Sequence, residues 1–356
     1  MPAWLNRLLV TALFALMGCG GSGDSAPSSP TNPTPPAPAD PLRDAANVSG
    51  KLVGTAVQSG LLRMPQYNAV VMRHFNYLTA EYEMKMGVIG QSPGSNNFVP
   101  GDVIVGFAAA NGMRVKGHAL VWHGSVPAWV DALSPADLRP MFENYIRDVA
   151  AHYRGQVLAW DVVNEAVADD GSGLRDTVFR RKLGDGYIAE AFRLARQADP
   201  GARLFYNDYG GEGLNAKSNR IYDLMRSLLA QGVPIDGIGL QMHITASNPP
   251  SPASVAANVR RLADLGLFVN ISEMDVRIRD APGALAMRLE LQKSVYKSMV
   301  TVCVDEPRCD AVTFWGFTDL YSWIDNQFGP DDPLLFDEQY AAKPAFYGVL
   351  DALLRR

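Results

Sequence analysis

The feature of the sequence that most restricts the fold is an alternation of short apolar segments with amphipathic segments, repeated eight times. Such alternation predicts parallel strands joined by helices that cover the sheet. Eight units favour a closed (β/α)8 TIM barrel of the α/β class in a single domain. The predicted strands are residues 51–58, 77–81, 114–122, 157–164, 203–207, 237–243, 267–272 and 311–317.

The main alternative to a closed barrel is an open, doubly wound sheet. Such sheets usually carry a glycine-rich phosphate-binding loop after the first strand, and none follows residues 51–58. Hydrophobic residues make up 47% of the chain, enough for a large core. The net charge is −5 without a basic stripe, which argues against nucleic-acid binding. We expect a monomer that needs no cofactor.

Two of the predicted strands carry a glutamate out at their carboxyl ends. Glu165 follows the fourth strand in the stretch W-D-V-V-N-E-A, and Glu273 follows the seventh in S-E-M-D. Barrel enzymes keep their chemistry at the carboxyl ends of the strands. Retaining hydrolysis of a glycosidic bond needs two carboxyl groups about 5–5.5 Å apart, one protonated and one ionised. If only one of these glutamates were present, the ordinary interpretation would be a salt-bridged residue at the barrel rim.

Other side chains near the predicted strand ends suit sugar binding. Asn164 can bond a sugar hydroxyl, and His243 with Asp275 can hold Glu273 ionised, although His243 can also be a core histidine. Trp315 and Trp323 can stack on sugar rings or fill the core. The remaining candidates are Glu81, Lys85, His118, Trp122 and Gln241. No metal site is expected, because the histidines lack close ligand spacing and no H-E-x-x-H motif occurs.

The first residues have the pattern of an export signal. Arg7 precedes an apolar run that is too short to span a bilayer. Leu16-Met17-Gly18-Cys19 resembles a bacterial lipobox, so we expect residues 1–18 to be a lipoprotein signal peptide and Cys19 to carry lipid. An ordinary cleaved signal peptide is the alternative. Residues 19–43, rich in Gly, Ser and Pro, are predicted to be a flexible tether to a catalytic domain at 44–356.

This pattern predicts an exported bacterial lipoprotein of the cell envelope, attached to the outer membrane on its periplasmic or outer face. Export also permits disulfide bonds. With Cys19 lipidated, Cys303 and Cys309 are left six positions apart, close enough for a structural disulfide. Two free thiols remain the alternative.

The motifs together resemble those of glycoside hydrolase family 10, the endo-β-1,4-xylanases with a (β/α)8 barrel, over about residues 45–353. They are W-D-V-V-N-E-A, S-E-M-D, H-A-L-V-W-H, Q-M-H and F-W-G-F-T-D, in family order. The resemblance implies Glu165 as acid/base and Glu273 as nucleophile. It implies a Cys303–Cys309 bond. It implies that Asn164, His118, Gln241 and His243 bind the sugar at the cleavage point or support Glu273, and that Trp315 and Trp323 line the same sugar. Glu81 and Lys85 would contact sugars on the glycone side, and Asn207 and Tyr209 would face the leaving-group side.

The chain departs from the family pattern beside the predicted glycone site. Tyr82 stands where the family usually has asparagine, Met86 where it has tryptophan, and Ser125 where it has glutamine. We therefore expect an intact catalytic centre with a reshaped distal glycone subsite. Two alternatives follow: the same chemistry on another β-linked glycan, or a sugar-binding lipoprotein without turnover. Retention of both glutamates argues against the second alternative.

Overall fold

The computed structural model describes residues 41–356. Cys19, the predicted signal peptide and the tether up to residue 40 lie outside the described residues. The tether prediction extended too far, because Leu42 and Arg43 belong to a helix that begins at Leu42. Within residues 41–356, every helix is too short or too polar to cross a membrane.

Eight parallel strands close into a barrel, which confirms the predicted (β/α)8 fold. Each strand pairs with its neighbours along the chain, including β6 with β7. Pairing of the first strand, β1, with the last, β8, closes the barrel. The strands are β1 (Leu52–Val57), β2 (Tyr77–Ala80), β3 (Arg114–Trp122), β4 (Ala159–Asn164), β5 (Arg203–Asp208), β6 (Gly237–Leu240), β7 (Phe268–Arg277) and β8 (Cys309–Phe314).

Helices surround the barrel and pack apolar faces against it. The helices are α1 (Leu42–Ser49), α2 (Pro65–His74), α3 (Met86–Ile89), α4 (Val99–Ala110), α5 (Ala128–Asp131), α6 (Pro135–His152), α7 (Val178–Leu183), α8 (Tyr187–Ala198), α9 (Ala216–Ala230), α10 (Pro252–Asp264), α11 (Leu285–Asp305), α12 (Trp323–Phe328) and α13 (Pro344–Leu353). Helix α6 shows why such segments fold locally. The Ser134 side chain caps its first turn, and Leu138, Phe142 and Ile146 bury one face.

Three strand boundaries differ from the prediction in ways that shape the rim of the barrel. Strand β6 ends at Leu240, because Met242 adopts a φ of 67° and interrupts the ladder. The chain then forms a short extended segment, His243–Thr245, which pairs with the outer part of β7. Because this segment gives the outer part of β7 a partner, β7 continues through Glu273 to Arg277 instead of ending at Ser272. Strand β8 is shifted toward the N-terminus and ends at Phe314.

Cys303 and Cys309 lie next to each other where α11 leads into β8. Their Cα atoms are 5.0 Å apart, and their sulfur atoms are at disulfide distance. Both side chains are fully buried. The pair therefore spans the turn between the long helix and the strand that closes the barrel against β1.

Candidate active site

A cavity of about 490 Å³ opens at the carboxyl ends of the strands and contains most of the predicted site residues. It lies where barrel folds place their chemistry. Its lining is largely aromatic, with acidic and basic groups at the base. The lining residues are Tyr82, Lys85, His118, Trp122, Asn164, Glu165, Tyr209, Gln241, His243, Glu273, Arg277, Trp315, Trp323, Ile324, Gln327 and Phe328.

Glu165 is held in an unusual backbone conformation just after β4. Its φ is 58°, which residues other than glycine rarely adopt and which costs about 1–3 kcal/mol. Two contacts fix it there: its backbone N–H donates to the Asn207 carbonyl at 2.8 Å, and its own carbonyl accepts from Arg175 Nε at 3.0 Å. The side chain is therefore directed into the cavity by the surrounding structure.

Three neutral donors surround the Glu165 carboxyl group. Trp122 Nε1 donates to Oε2 at 2.8 Å. Asn164 Nδ2 and Gln241 Nε2 donate to Oε1 at 3.1 Å and 3.0 Å. These contacts orient both oxygens of the carboxyl group toward the cavity.

Glu273 lies in a more strongly charged environment. Asn207 Nδ2 donates to its Oε1 at 2.6 Å, and His243 Nε2 lies 3.3 Å from Oε2. Burial acts to raise the pKa of Glu273, but His118, His243 and Lys85 outweigh it and bring the pKa below its ordinary value. Glu273 is therefore ionised at neutral pH, as a nucleophile must be.

Amide side chains link the two glutamates. Asn164 Oδ1 accepts from Asn207 Nδ2 at 2.9 Å and from Gln241 Nε2 at 3.2 Å. Asn207 also contacts Glu273 and is 0% exposed. It therefore has no surface for a sugar, contrary to the expectation that it faces the leaving group, and it positions Glu273 instead.

His243 belongs to a hydrogen-bonded group beside Glu273. Its Nδ1 lies 2.7 Å from Asp275 Oδ2, which also accepts from Trp323 Nε1 at 2.8 Å. Burial alone would lower the pKa of His243, but Asp275 and Glu273 raise it well above its ordinary value. The imidazole is therefore a cation that stabilises the ionised form of Glu273.

The chain matches the model of glycosyl hydrolase family 10 over residues 41–352. It belongs to that family. It is 40% identical to endo-1,4-beta-xylanase B of Thermotoga neapolitana over 321 residues, 88% of this chain and 91% of that protein. It is 38% identical to the endo-1,4-beta-xylanase of Agaricus bisporus, over 86% of this chain and 92% of that protein.

Solved structures agree with the family assignment. The xylanase 10B of Thermotoga petrophila in complex with xylobiose superposes with a TM-score of 0.85 at 39% identity. The match covers 88% of this chain and 97% of that one. Native xylanase10C of Cellvibrio japonicus gives a TM-score of 0.86 at 35% identity, over 92% of this chain and 75% of that one.

A buried ionic group lies beneath the family 10 site. His118, Asp161 and Glu273 each offer an atom within 4.8 Å of the others, as a metal site would. However, the Lys116 ammonium lies 2.7 Å from Asp161 Oδ1, and His118 Nδ1 lies 3.0 Å from Oδ2. Because Lys116 already supplies a positive charge to Asp161, the group acts as a hydrogen-bonded support for His118.

Aromatic rings and one lysine form a wall of the cavity. Lys85 Nζ lies 4.6 Å from the centre of the Trp122 ring and 5.6 Å from that of Trp315. Burial lowers the pKa of Lys85, while Glu273 and Glu81 act in the opposite direction. The ammonium therefore lies between the aromatic faces and the acidic base, where a sugar hydroxyl can accept from it.

The three residues that depart from the family pattern, Tyr82, Met86 and Ser125, lie at different positions relative to the cavity. Tyr82 is 44% exposed at the cavity rim, where its ring lies 5.1 Å from Lys85 Nζ. Ser125 is not among the residues that line the cavity, and its hydroxyl accepts from the Gly87 backbone N–H at 3.2 Å. Met86 is buried. Of the three, only Tyr82 lines the cavity.

Glu81 also lies outside the cavity lining. It is buried and accepts from Gln58 Nε2 at 3.1 Å, and its carboxylate is hydrogen-bonded to Tyr82. The hydroxyl of Tyr209, the residue expected on the leaving-group side, contacts Asp169 at 2.5 Å and Arg175 at 3.1 Å. Tyr209 thus reaches the cavity as part of an ionic cluster.

The sequence reasoning missed one side of the cavity, formed by Arg277, Ile324, Gln327 and Phe328. A signal for Arg277 was present: it follows Glu273 by four positions, so it shares the inward face of the same strand. Recognising it required knowing that β7 continues past Ser272. Helix α12, which carries the other three, had no marked apolar periodicity of its own.

Proposed function

We propose that this protein is a retaining endo-1,4-β-xylanase that works by double displacement. A Glu273 oxygen attacks the anomeric carbon while the bond to the leaving sugar breaks, and Glu165 gives its proton to the leaving oxygen. In the second step Glu165 takes a proton from water, whose oxygen displaces Glu273. The observation that carries the proposal is the amide bridge that holds both carboxyl groups over one cavity.

The stereochemical course of the first product tests this mechanism. NMR of a xylo-oligosaccharide digest, recorded before mutarotation, is expected to show the β-anomer. Appearance of the α-anomer first would mean inversion and would exclude Glu273 as a covalent nucleophile. Product analysis with xylan and other β-glycans tests the substrate, since release of internal oligomers only from xylan is expected.

A second candidate is the same chemistry with an altered preference on the glycone side. It is favoured by Tyr82, whose exposed ring stands at the cavity rim. Kinetics on xylo-oligosaccharides of increasing length, for the wild type and Tyr82→Asn, test it. The candidate fails if a second glycone sugar accelerates both proteins equally.

We further propose a lipid anchor at Cys19 and a disulfide between Cys303 and Cys309. The lipobox-like residues before Cys19 support the first, and the adjacent sulfur atoms support the second. Labelled fatty acid should enter the exported protein but not its Cys19→Ser variant. A non-reducing peptide map should contain one cross-linked pair.

A further inference from the structure

Arg277 is a charged residue at the substrate cavity with no assigned task. It is the last residue of β7 and lines the cavity beside Gln327 and Phe328. Its side chain makes no hydrogen bond or ion pair with any part of the chain from residue 41 onward. A guanidinium has five N–H donors and a permanent positive charge, so an unpaired one that faces a ligand cavity is available to a ligand of opposite charge.

The surroundings of Arg277 hold it ready for a ligand. Its guanidinium carbon lies 4.1 Å from the centre of the Phe328 ring, within cation–π range. Phe328 is fixed in turn, because Trp323 contacts its ring and Arg279 donates to its backbone carbonyl. A guanidinium supported on an aromatic face keeps its N–H groups available at the edge, in the geometry that binds carboxylates.

The strand geometry places Arg277 at a fixed distance from the chemistry. Glu273, Asp275 and Arg277 occupy alternate positions of β7 and share one face. Four residues of strand separate the Cα atoms of Glu273 and Arg277 by about 13 Å. Arg277 is therefore too far away to act on the bond being cleaved, but it can reach a sugar or a branch next to it.

We propose that Arg277 binds the carboxylate of a uronic acid substituent on the glycan, so that acid-decorated chains are preferred substrates. This inference rests on the proposed xylanase function and specifies its substrate class. A neutral chain leaves the guanidinium without a partner, whereas an acidic branch at this position forms charge-assisted hydrogen bonds with it.

Three matched substrates test the proposal in the wild type: a xylo-oligosaccharide bearing one uronic acid, the same compound with its carboxyl reduced to an alcohol, and the unsubstituted oligomer. Reduction removes the charge and keeps the branch. We expect kcat/KM to fall roughly tenfold or more on reduction, the size expected for loss of charge-assisted hydrogen bonds. Equal values for the acid and the alcohol would overturn the proposal.

Variants assign the effect to Arg277. The ratio of kcat/KM for acid over alcohol should fall to near one in Arg277→Gln and to an intermediate value in Arg277→Lys, which keeps charge but not the fork. Arg308→Gln is the control, because Arg308 lies near Phe268 at the opposite end of the same strand. Its ratio should equal that of the wild type. A ratio unchanged in Arg277→Gln also overturns the proposal.

The unsubstituted oligomer separates this inference from the function on which it rests. If the wild type fails to cleave that oligomer and xylan, the xylanase function is wrong. If it cleaves both but treats the acid and the alcohol alike, only the assignment of Arg277 is wrong.

Discussion

The indole nitrogen of Trp122 lies 2.8 Å from Oε2 of Glu165, so an aromatic wall of the cavity also orients the proposed proton donor. Trp122→Phe keeps the ring and removes this single N–H donor. We expect kcat/KM on xylo-oligosaccharides to fall about tenfold, the upper end of the usual scale for one side-chain hydrogen bond. Trp129→Phe is a control, because Trp129 donates to the Gly90 carbonyl away from the glutamates. Equal effects of the two substitutions would contradict the role of Trp122.

Removing the proton donor should affect substrates according to their leaving groups. Glu165→Ala is expected to lose roughly 10²–10⁴-fold in kcat on xylan, the range for general acid–base catalysis. Aryl glycosides with acidic phenol leaving groups need no proton for the bond to break. The variant should therefore keep most of the wild-type rate for their first displacement step. The measurement is kcat/KM on a series of aryl glycosides whose phenol leaving groups differ in acidity. Equal loss across the series would exclude Glu165 as the acid.

Asn207 should act through Glu273 and not through substrate binding. Asn207→Ala removes a 2.6 Å hydrogen bond from the carboxylate, so we expect kcat to fall about ten- to a hundredfold with little change in KM. Asn270→Ala provides the control for lost stability, since Asn270 is a buried strand asparagine that bonds Asp310 away from the site. A rise in KM with unchanged kcat in Asn207→Ala would show a sugar contact instead.

The ionic pairing of His243 links stability to pH. Although burial acts to lower it, Asp275 and Glu273 raise the pKa of His243 from 6.5 to about 10. A group whose folded pKa is raised stabilises the fold fully below its unfolded pKa and loses that contribution as pH rises through the folded value. The free energy of unfolding should therefore decline between about pH 6.5 and 10. Urea titrations across this range should show a flatter profile for His243→Asn.

The proposed disulfide closes a short loop, and its contribution should be modest. Cys303→Ala with Cys309→Ala is expected to lower the free energy of unfolding by about 2 kcal/mol, as loop-closure entropy predicts for this spacing. Reductant should destabilise the wild type by a similar amount and leave the double variant unchanged. A wild type that is insensitive to reductant in urea titrations would contradict the bond.

The sequence predicted the barrel because its strands are apolar over most of their length, and apolar segments can be located without knowing their neighbours. Strand β3 was predicted with its observed bounds. The outer half of β7 was missed because Glu273 and Asp275 look like loop residues. They occur in a strand only because His243 and Trp323, from distant parts of the chain, satisfy them.

The sequence predicted which residues belong to the candidate site better than it predicted their contacts. The motifs predicted that Glu165, Glu273 and the aromatic side chains share one site, and all of them line the same cavity. The position of Asn207 could not be predicted, because both faces of a barrel strand can carry polar groups and only the fold decides which face is sealed. Arg277 was missed for the same reason as the end of β7.

Asp275 Oδ2 serves two partners, the His243 imidazole and the Trp323 indole. The aromatic wall of the cavity and the cation beside Glu273 therefore share one oxygen atom. An exchange of Trp323 for phenylalanine or tyrosine, harmless for stacking, would remove a donor from that oxygen and alter the balance of charge around Glu273. A substitution at this wall is for that reason expected to change the electrostatic environment of Glu273 as well as the shape of the cavity.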